Sequence, residues 1–326
     1  MLKEKKLVSL IWDKGKHNAF TDLCVFEGSL WCCFREATNH VSKDGLIRIL
    51  QLNSNGELLN VDTIRMPEAD LRDPKLTVTP EGQLLLLAYR VNAKNSMHIN
   101  NHQPVCWLHN VNGTWSMERS VGNSGWWLWR IRWHRNANVI GDLPDHAAFG
   151  FAYNMRQERL MFYSGDPRRK MTIVNEDALS KRKDGLGYPN ESDLFFDHEK
   201  AFAVVRRDAD TYTAQLGEST YPFKNWKWYD LGEYIGGPCI LPLSNNQALV
   251  AGRIFNKKQL KTALWLLDLH SKKLTLSKIL PSGGDNSYPG LALFNDKVSV
   301  SYYSSHQHGK SCIYLTHFER EELIPC

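Results

Sequence analysis

Residues able to grip an anion stand at the starts and ends of short apolar runs throughout the chain. His17, Asp22, Arg72, Asp73, Arg130, Asn190, Glu191 and Tyr288 open such runs, and Arg35, Glu36, Arg90, Asn154, Arg206, Arg207, Asp208 and Arg253 close the runs that follow. A guanidinium is planar, stays charged and offers paired N–H donors, so several converging on one point would hold a carboxylate or phosphate. The expected binding set is Arg35, Arg72, Arg90, Arg130, Arg207 and Arg253, with Asp22 and Asn190 beside them. The plainer alternative is that each arginine pairs with a nearby acid, as Arg72 would with Asp73, and covers an edge. His40, His98, His102, His306 and His308 show neither H-E-x-x-H nor paired Cys/His spacing, so no metal and no other cofactor is expected.

Such residues need elements that bring them together. Six openings recur: Phe20-Thr-Asp-Leu23, Asp73-Pro-Lys-Leu76, Arg130-Ile-Arg-Trp133, Glu191-Ser-Asp-Leu194, Gly237-Pro-Cys-Ile240 and Tyr288-Pro-Gly-Leu291. Their spacings of 53, 57, 61, 46 and 51 residues lie in the range of blade repeats. Each is followed by a second run with β propensity, from Ser29 to Phe34, Gln83 to Tyr89, Ala147 to Tyr153, Lys200 to Val205, Gln247 to Ala251 and Lys297 to Tyr302. Glu27-Gly28, Pro80-Glu-Gly82 and Asn295-Asp296 supply hairpin turns between them. An outer pair then completes each unit, as in Leu46 to Leu52. The expected fold is all-β: one six-bladed propeller of four-stranded antiparallel blades spanning residues 1–326, with Val8 to Trp12 as a strand that helps close the ring. In that architecture the inner strands line a central channel, and residues at one end of them meet at its mouth.

Composition fits this reading. Hydrophobic residues make up 42% of the chain, and 11 Trp, 12 Tyr and 13 Phe can fill the spaces between blades. No apolar stretch reaches the length of a membrane helix, so no membrane partner is expected. The net charge of +5 is spread out, with small clusters at Lys3 to Lys6, Arg168 to Lys170 and Lys181 to Lys183, which argues against a nucleic-acid stripe. Seven cysteines without C-x-x-C spacing read as buried free thiols of a reducing compartment. The charged start ahead of Val8 to Trp12 is too short in its apolar part for a signal peptide, which makes the expected location cytoplasmic, with non-classical secretion left open. Trp126-Trp127-Leu128-Trp129 either wedges between blades or forms a platform under a sugar ring.

The segment from Leu71 to Arg90, in which Arg72-Asp-Pro opens a strand and Arg90 ends the hairpin, resembles the sialidase superfamily of six-bladed propellers. His17-Asn-Ala-Phe-Thr-Asp22, Phe34-Arg-Glu-Ala-Thr-Asn-His40 and Asp44-Gly-Leu-Ile-Arg48 are similar to bacterial sialidase-like proteins. Asn110-Val-Asn-Gly-Thr-Trp115 keeps a trace of their Asp-box (BNR) repeat. This resemblance implies a retaining glycoside hydrolase for an acidic sugar, with Tyr288 as nucleophile and Glu191 as its base. It also implies that Arg72, Arg207 and Arg253 form a carboxylate-binding triad.

The chain departs from that pattern in one respect that bears on chemistry. The resemblance leads one to expect an acid/base aspartate after the Arg72 hairpin, and Val91 to His102 contains none. His98, His102, His40, Asp44 and Asp73 are the substitutes available. Two functions follow, a glycoside hydrolase acting on an anionic sugar, and a non-catalytic propeller holding an anionic glycan, phosphate or acidic peptide at an arginine-rich mouth. A scaffold that binds protein through its rim is common for the architecture.

Overall fold

The computed structural model describes residues 8–92, 102–135, 145–154 and 156–324. The first strand, β1 (Ser9–Trp12), precedes blade one, which holds β2 (His17–Phe26), β3 (Ser29–Ala37), β4 (Leu46–Leu52) and β5 (Leu58–Ile64). Blade two holds β6 (Ala69–Val78), β7 (Leu84–Asn92), β8 (His102–Leu108) and β9 (Arg119–Ser120). In blade three the inner position is split into β10 (Trp127–Leu128) and β11 (Arg132–Arg135), both paired with β12 (His146–Asn154), followed by β13 (Arg159–Asp166) and β14 (Lys170–Ser180). Blade four holds β15 (Pro189–Asp197), β16 (Lys200–Arg207), β17 (Gln215–Thr220) and β18 (Lys227–Asp230). Blade five holds β19 (Gly236–Ser244), β20 (Gln247–Asn256), β21 (Gln259–Asp268) and β22 (Leu274–Leu280). Blade six holds β23 (Asn286–Phe294), β24 (Lys297–Ser304) and β25 (Cys312–Phe318), and β1 pairs antiparallel with β25 as its outer strand. The first strand thus closes the ring, as its sequence led us to expect, and covers an edge that would otherwise be unpaired.

Each blade is buried on both faces, and this explains runs such as Leu84 to Leu87. Leu84 and Leu86 pack with Trp31, Cys33 and Ile47 of blade one, while Leu85 and Leu87 pack with Leu128, Ala148 and Met161 of blade three. The two-residue alternation of a strand therefore sorts side chains between neighbouring blades instead of between core and water. Cys32, Cys33, Cys106, Cys239 and Cys312 are buried in these layers and unpaired, and Cys24 is a half-buried free thiol.

The six sequence openings coincide with irregularities in the inner strands. Pairing register shifts between Ala19 and Asp22, Arg72 and Lys75, Pro189 and Ser192, Gly236 and Cys239, and Ser287 and Gly290. In blade three the strand breaks at the same place. Phe20, Asp73, Gly237 and Tyr288 sit in these bulges with φ of 63°, 47°, 59° and 46°. A bulge re-aims a side chain, and left-handed backbone at non-glycine residues costs about 1–2 kcal/mol each, so the strain is concentrated where the blades meet.

The axis itself is stitched by charge. Arg130 bonds Asp22 and stands 3.4 Å from Asp193, and Arg132 grips Asp193 through two bonds of 3.0 and 2.8 Å. Asp22 also accepts the Leu76 amide at 2.8 Å, and Asp193 accepts the Ile240 amide at 3.0 Å. Burial and these partners make Arg130 and Asp22 a latch between blades. Both were expected to bind ligand, and the structure corrects this: their polar atoms face each other inside the ring.

Candidate functional site

Tyr288 touches residues of five blades, which places it at the centre of the ring. Its ring lies 5.1 Å from Phe20, 5.9 Å from Trp129 and 6.0 Å from Tyr303, with the Arg253 guanidinium 5.1 Å from its centroid. Its hydroxyl donates to Oε1 of Glu191 at 2.6 Å. The other carboxylate oxygen, Oε2, accepts from Nη1 of Arg206 at 2.7 Å and from the Gly237 amide at 2.8 Å. Nη1 of Arg206 also reaches Oη of Tyr288 at 3.0 Å.

The charges in this group are well defined. Burial pushes the Glu191 carboxyl up, but Arg206, Tyr288 and the Gly237 amide outweigh it and hold the group below its ordinary value. Burial and the neighbouring Glu191 push the Tyr288 phenol well above its own. The resting pair is thus a neutral phenol donating to a glutamate anion, which is the arrangement of a weak nucleophile with its base in place.

Arg206 and Arg253 supply positive charge beside the tyrosine. Arg206 uses Nε on Asp208 at 2.9 Å, and Asn190 holds the other oxygen of Asp208 at 2.9 Å. Arg253 uses Nε on the Asn286 carbonyl at 2.9 Å and Nη2 on Tyr303 at 2.9 Å. Among the described residues, Nη2 of Arg206 and Nη1 of Arg253 have no hydrogen-bond partner. The Asp73 carboxyl is raised from its ordinary 3.8 to about 6, chiefly by burial and further by Glu191, against the opposing pull of Lys75.

Of the expected arginines, only Arg253 stands in this group. Arg206 takes the place expected of Arg207, whose guanidinium lies buried against Asp210 at 2.9 Å and the Gly187 carbonyl at 3.3 Å. Arg90 is paired with Glu118. Arg35 is wholly buried and binds Asp70 through bonds of 3.0 and 2.9 Å, while Arg72 binds the other oxygen of Asp70 at 2.6 Å. Arg35 also holds the carbonyls of Asn39 at 3.1 Å and Ser42 at 2.6 Å, and so fixes the loop 38–45. These pairings spend the guanidinium donors on the fold, which is why Arg35, Arg72, Arg90 and Arg207 do not converge as an anion clamp. Asn190 acts on the site through Asp208 and not by facing it.

The substitute acids also separate. Asp44 caps the 38–45 loop through Thr38, and hydrogen bonds from Ser42 and Thr38 overcome its partial desolvation to set its pKa at about 2. It is ionised at neutral pH and has no proton to give. His98 lies outside the described residues, and His102 packs edge-on against Tyr89 at 5.8 Å. His40 stands on the 38–45 loop with 46% of its side chain exposed, and its Nδ1 meets Oδ2 of Asp285 at 2.7 Å. His17 meets the same oxygen through Nε2 at 2.9 Å. These three ligand atoms lie within 4.8 Å of one another, close enough to hold a divalent cation. In the structure both histidines bond the Asp285 carboxylate instead. Trp127 stacks on Tyr89 of the next blade at 4.0 Å and runs parallel to Tyr153 at 5.7 Å, which makes it a wedge between blades.

Neither a family model nor a curated protein matches the sequence. Solved structures do match the fold. A protein of unknown function from Dyadobacter fermentans superposes with a TM-score of 0.79 at 15% identity, covering 97% of this chain and 98% of that one. The NanB sialidase of Streptococcus pneumoniae gives 0.68 at 8% identity, over 99% of this chain and 72% of that one. Trypanosoma rangeli sialidase gives 0.67 at 12% identity, over 98% and 59%, and has also been solved with sialic acid bound. The chain has the six-bladed propeller fold of these sialidases.

Proposed function

We propose that the chain is a glycoside hydrolase of an anionic sugar, with sialic acid the first candidate, and that Tyr288 is its nucleophile. The observation that carries this reading is the bond from Tyr288 to Glu191, shared with Arg206. The attacking oxygen bonds to the anomeric carbon as its proton passes to Glu191, and the bond to the aglycone oxygen breaks. Water then bonds to the anomeric carbon as the tyrosyl ether breaks, Glu191 returns its proton to Tyr288, and the proton lost by the water balances the one taken up by the aglycone oxygen. A phenol suits this task because a carboxylate nucleophile would meet the negative charge of an acidic sugar. The free nitrogens of Arg206 and Arg253 bind the sugar's own carboxylate and shield that charge. The sialic acid bound by the T. rangeli protein, whose fold this chain shares, supports the choice of sugar class.

The test is to incubate the chain with a 3-fluoro-sialosyl fluoride and map the labelled peptide by mass spectrometry. An adduct on Tyr288 is expected, together with release of sialic acid from an aryl sialoside. Binding of sialic acid with neither turnover nor adduct would favour the rival function, a propeller that only holds the anion with Arg206 and Arg253.

A further inference from the structure

No aspartate or glutamate stands between Arg90 and Glu118 in the sequence, the Asp73 carboxyl is buried, and a hydrolase of natural glycosides needs a proton donor that faces the aglycone. We propose that His40, held by Asp285, is the general acid and base of this site. The inference rests on the hydrolase reading above.

The geometry of Asp285 is the starting point. Its Oδ2 accepts from His40 Nδ1 at 2.7 Å and from His17 Nε2 at 2.9 Å, and its Oδ1 accepts from Tyr303 at 2.9 Å with Arg253 at 3.4 Å. Burial pushes this carboxyl up, but the bonds from His17, His40 and Tyr303 outweigh it, and the group stays far below the usual carboxylate range. An anion approached by two imidazoles on one oxygen fixes both tautomers, because each must present N–H to it. For His40 the hydrogen therefore sits on Nδ1, and Nε2 is the atom free to exchange a proton. Asp285 is a positioning residue in this scheme, as the aspartate is for the histidine of a catalytic triad. His17 serves differently. It is buried, and among the described residues its Nδ1 has no partner, so it steadies the carboxylate from inside the fold.

His40 is linked to the nucleophile through one ring. Its ring stands edge-on to Phe20 at 5.0 Å, and Phe20 in turn stands 5.1 Å from Tyr288. Phe20 is thus an apolar spacer between nucleophile and acid. The aglycone must leave toward water, and His40 is half exposed whereas Asp73 is buried beside Glu191. The carbonyls of Asn39 and His40 are pinned by Arg35, at 3.1 and 3.5 Å, so the loop is held in place. The charged and titratable groups around His40 are Asp285 and His17 directly, Arg35 through the backbone, and Arg253 and Tyr303 through Asp285.

The steps balance. In the first, protonated Nε2 of His40 gives its hydrogen to the departing aglycone oxygen while Tyr288 bonds to the anomeric carbon and Glu191 takes the phenol proton. In the second, neutral Nε2 takes a proton from water as the water oxygen bonds to the anomeric carbon, and Glu191 returns its proton to the tyrosine.

The experiment compares wild type, His40→Gln and His40→Ala on sialyl-lactose and on an aryl sialoside whose phenolate leaves with little help. His40→Gln is expected to lower kcat/KM on sialyl-lactose by about 10²-fold or more, the ordinary worth of a general acid, and on the aryl sialoside by less than about tenfold. Added imidazole should restore part of the sialyl-lactose activity of His40→Ala. Long-range ¹H–¹⁵N spectra, taken at a pH where the ring is neutral, should show His40 as the Nδ1–H tautomer in wild type and a mixture in Asp285→Asn. Equal losses on both substrates, or none, would overturn the role of His40 while leaving Tyr288 as nucleophile. Wild-type activity abolished by a chelator and restored by zinc would overturn it in favour of a metal held by His17, His40 and Asp285. If wild type cleaves neither substrate and forms no adduct, the hydrolase reading itself fails, and the acid with it.

Discussion

Gly237 lies directly against the ring of Tyr288, although the two come from different blades. A Cβ on Gly237 would stand 2.7 Å from Cγ of the tyrosine, inside any real contact distance. The same glycine sends its amide to Glu191 at 2.8 Å, with φ of 59°. One residue without a side chain therefore sets both members of the nucleophile pair. Gly237→Ala is expected to lose about 1–2 kcal/mol to the left-handed backbone alone, read as a lowered Tm, and to push the tyrosine off its base. Turnover of an aryl sialoside should fall more than stability explains. A variant with wild-type kcat would show that the ring has room to spare.

Tyr288→Phe separates chemistry from packing. The phenyl ring keeps its contacts with Phe20, Trp129 and Tyr303, and Glu191 keeps Arg206 and the Gly237 amide. Two hydrogen bonds are lost, one donated to Glu191 and one accepted from Arg206, each worth about 1 kcal/mol, and because Glu191 and Arg206 still bond each other Tm should fall only modestly. Covalent labelling should vanish and turnover should drop by about 10³-fold or more. Residual turnover near wild type would exclude the tyrosine as nucleophile.

The repeat, the strand pairs and the closing strand were legible because turn residues and bulges recur at similar spacing along the chain. The Tyr288 and Glu191 pair was named from a resemblance, 97 residues apart in sequence, and the structure joins them. The choice between Arg206 and Arg207 was not legible. In an ordinary half-buried strand, alternation would show which of two neighbours faces inward. In β16 both faces are covered: Phe202 and Val204 pack toward blade five, and Ala201, Ala203 and Val205 toward the other side. Polarity therefore carried no facing information. Arg35 and Arg130 misled for a related reason, since their partners Asp70 and Asp22 lie 35 and 108 residues away and no local pattern announces them. Nothing local announces Asp285, whose run Gly283-Gly284-Asp285-Asn286 shows no catalytic or ligand spacing. Its four donors come from blades one, five and six.

The different duties of the arginines can be measured. Arg130→Met would leave Asp22 without its buried counter-charge and strip one partner from Asp193, a loss of about 3–5 kcal/mol. Arg253→Met should instead weaken binding of sialic acid, by about tenfold or more for one charge-assisted bond, with a smaller change in Tm. Arg90→Ala, which among the described residues frees only Glu118, should leave the affinity where it was. Calorimetric titration of the three variants, each with a thermal melt, distinguishes these cases. An unchanged Kd in Arg253→Met would remove it from the anion site.

Asp73 should leave a signature in the pH dependence of stability. Its folded pKa of about 6 stands above the ordinary 3.8, mainly because burial disfavours the carboxylate. Between those two values the folded chain binds more protons at this group than the unfolded chain does, so raising the pH works against folding. Below about pH 4 both states are protonated and the group contributes nothing, while above about pH 6 the full cost of about 3 kcal/mol is present. Asp73→Asn removes that ionisation and keeps the shape. Relative to wild type, the variant should gain stability steadily as pH rises from 4 to 7 and level off above, as measured by urea unfolding at each pH. A difference that is flat across this range would mean that water or Lys75 solvates the carboxylate in the folded state, and that Asp73 is ionised beside Glu191 throughout.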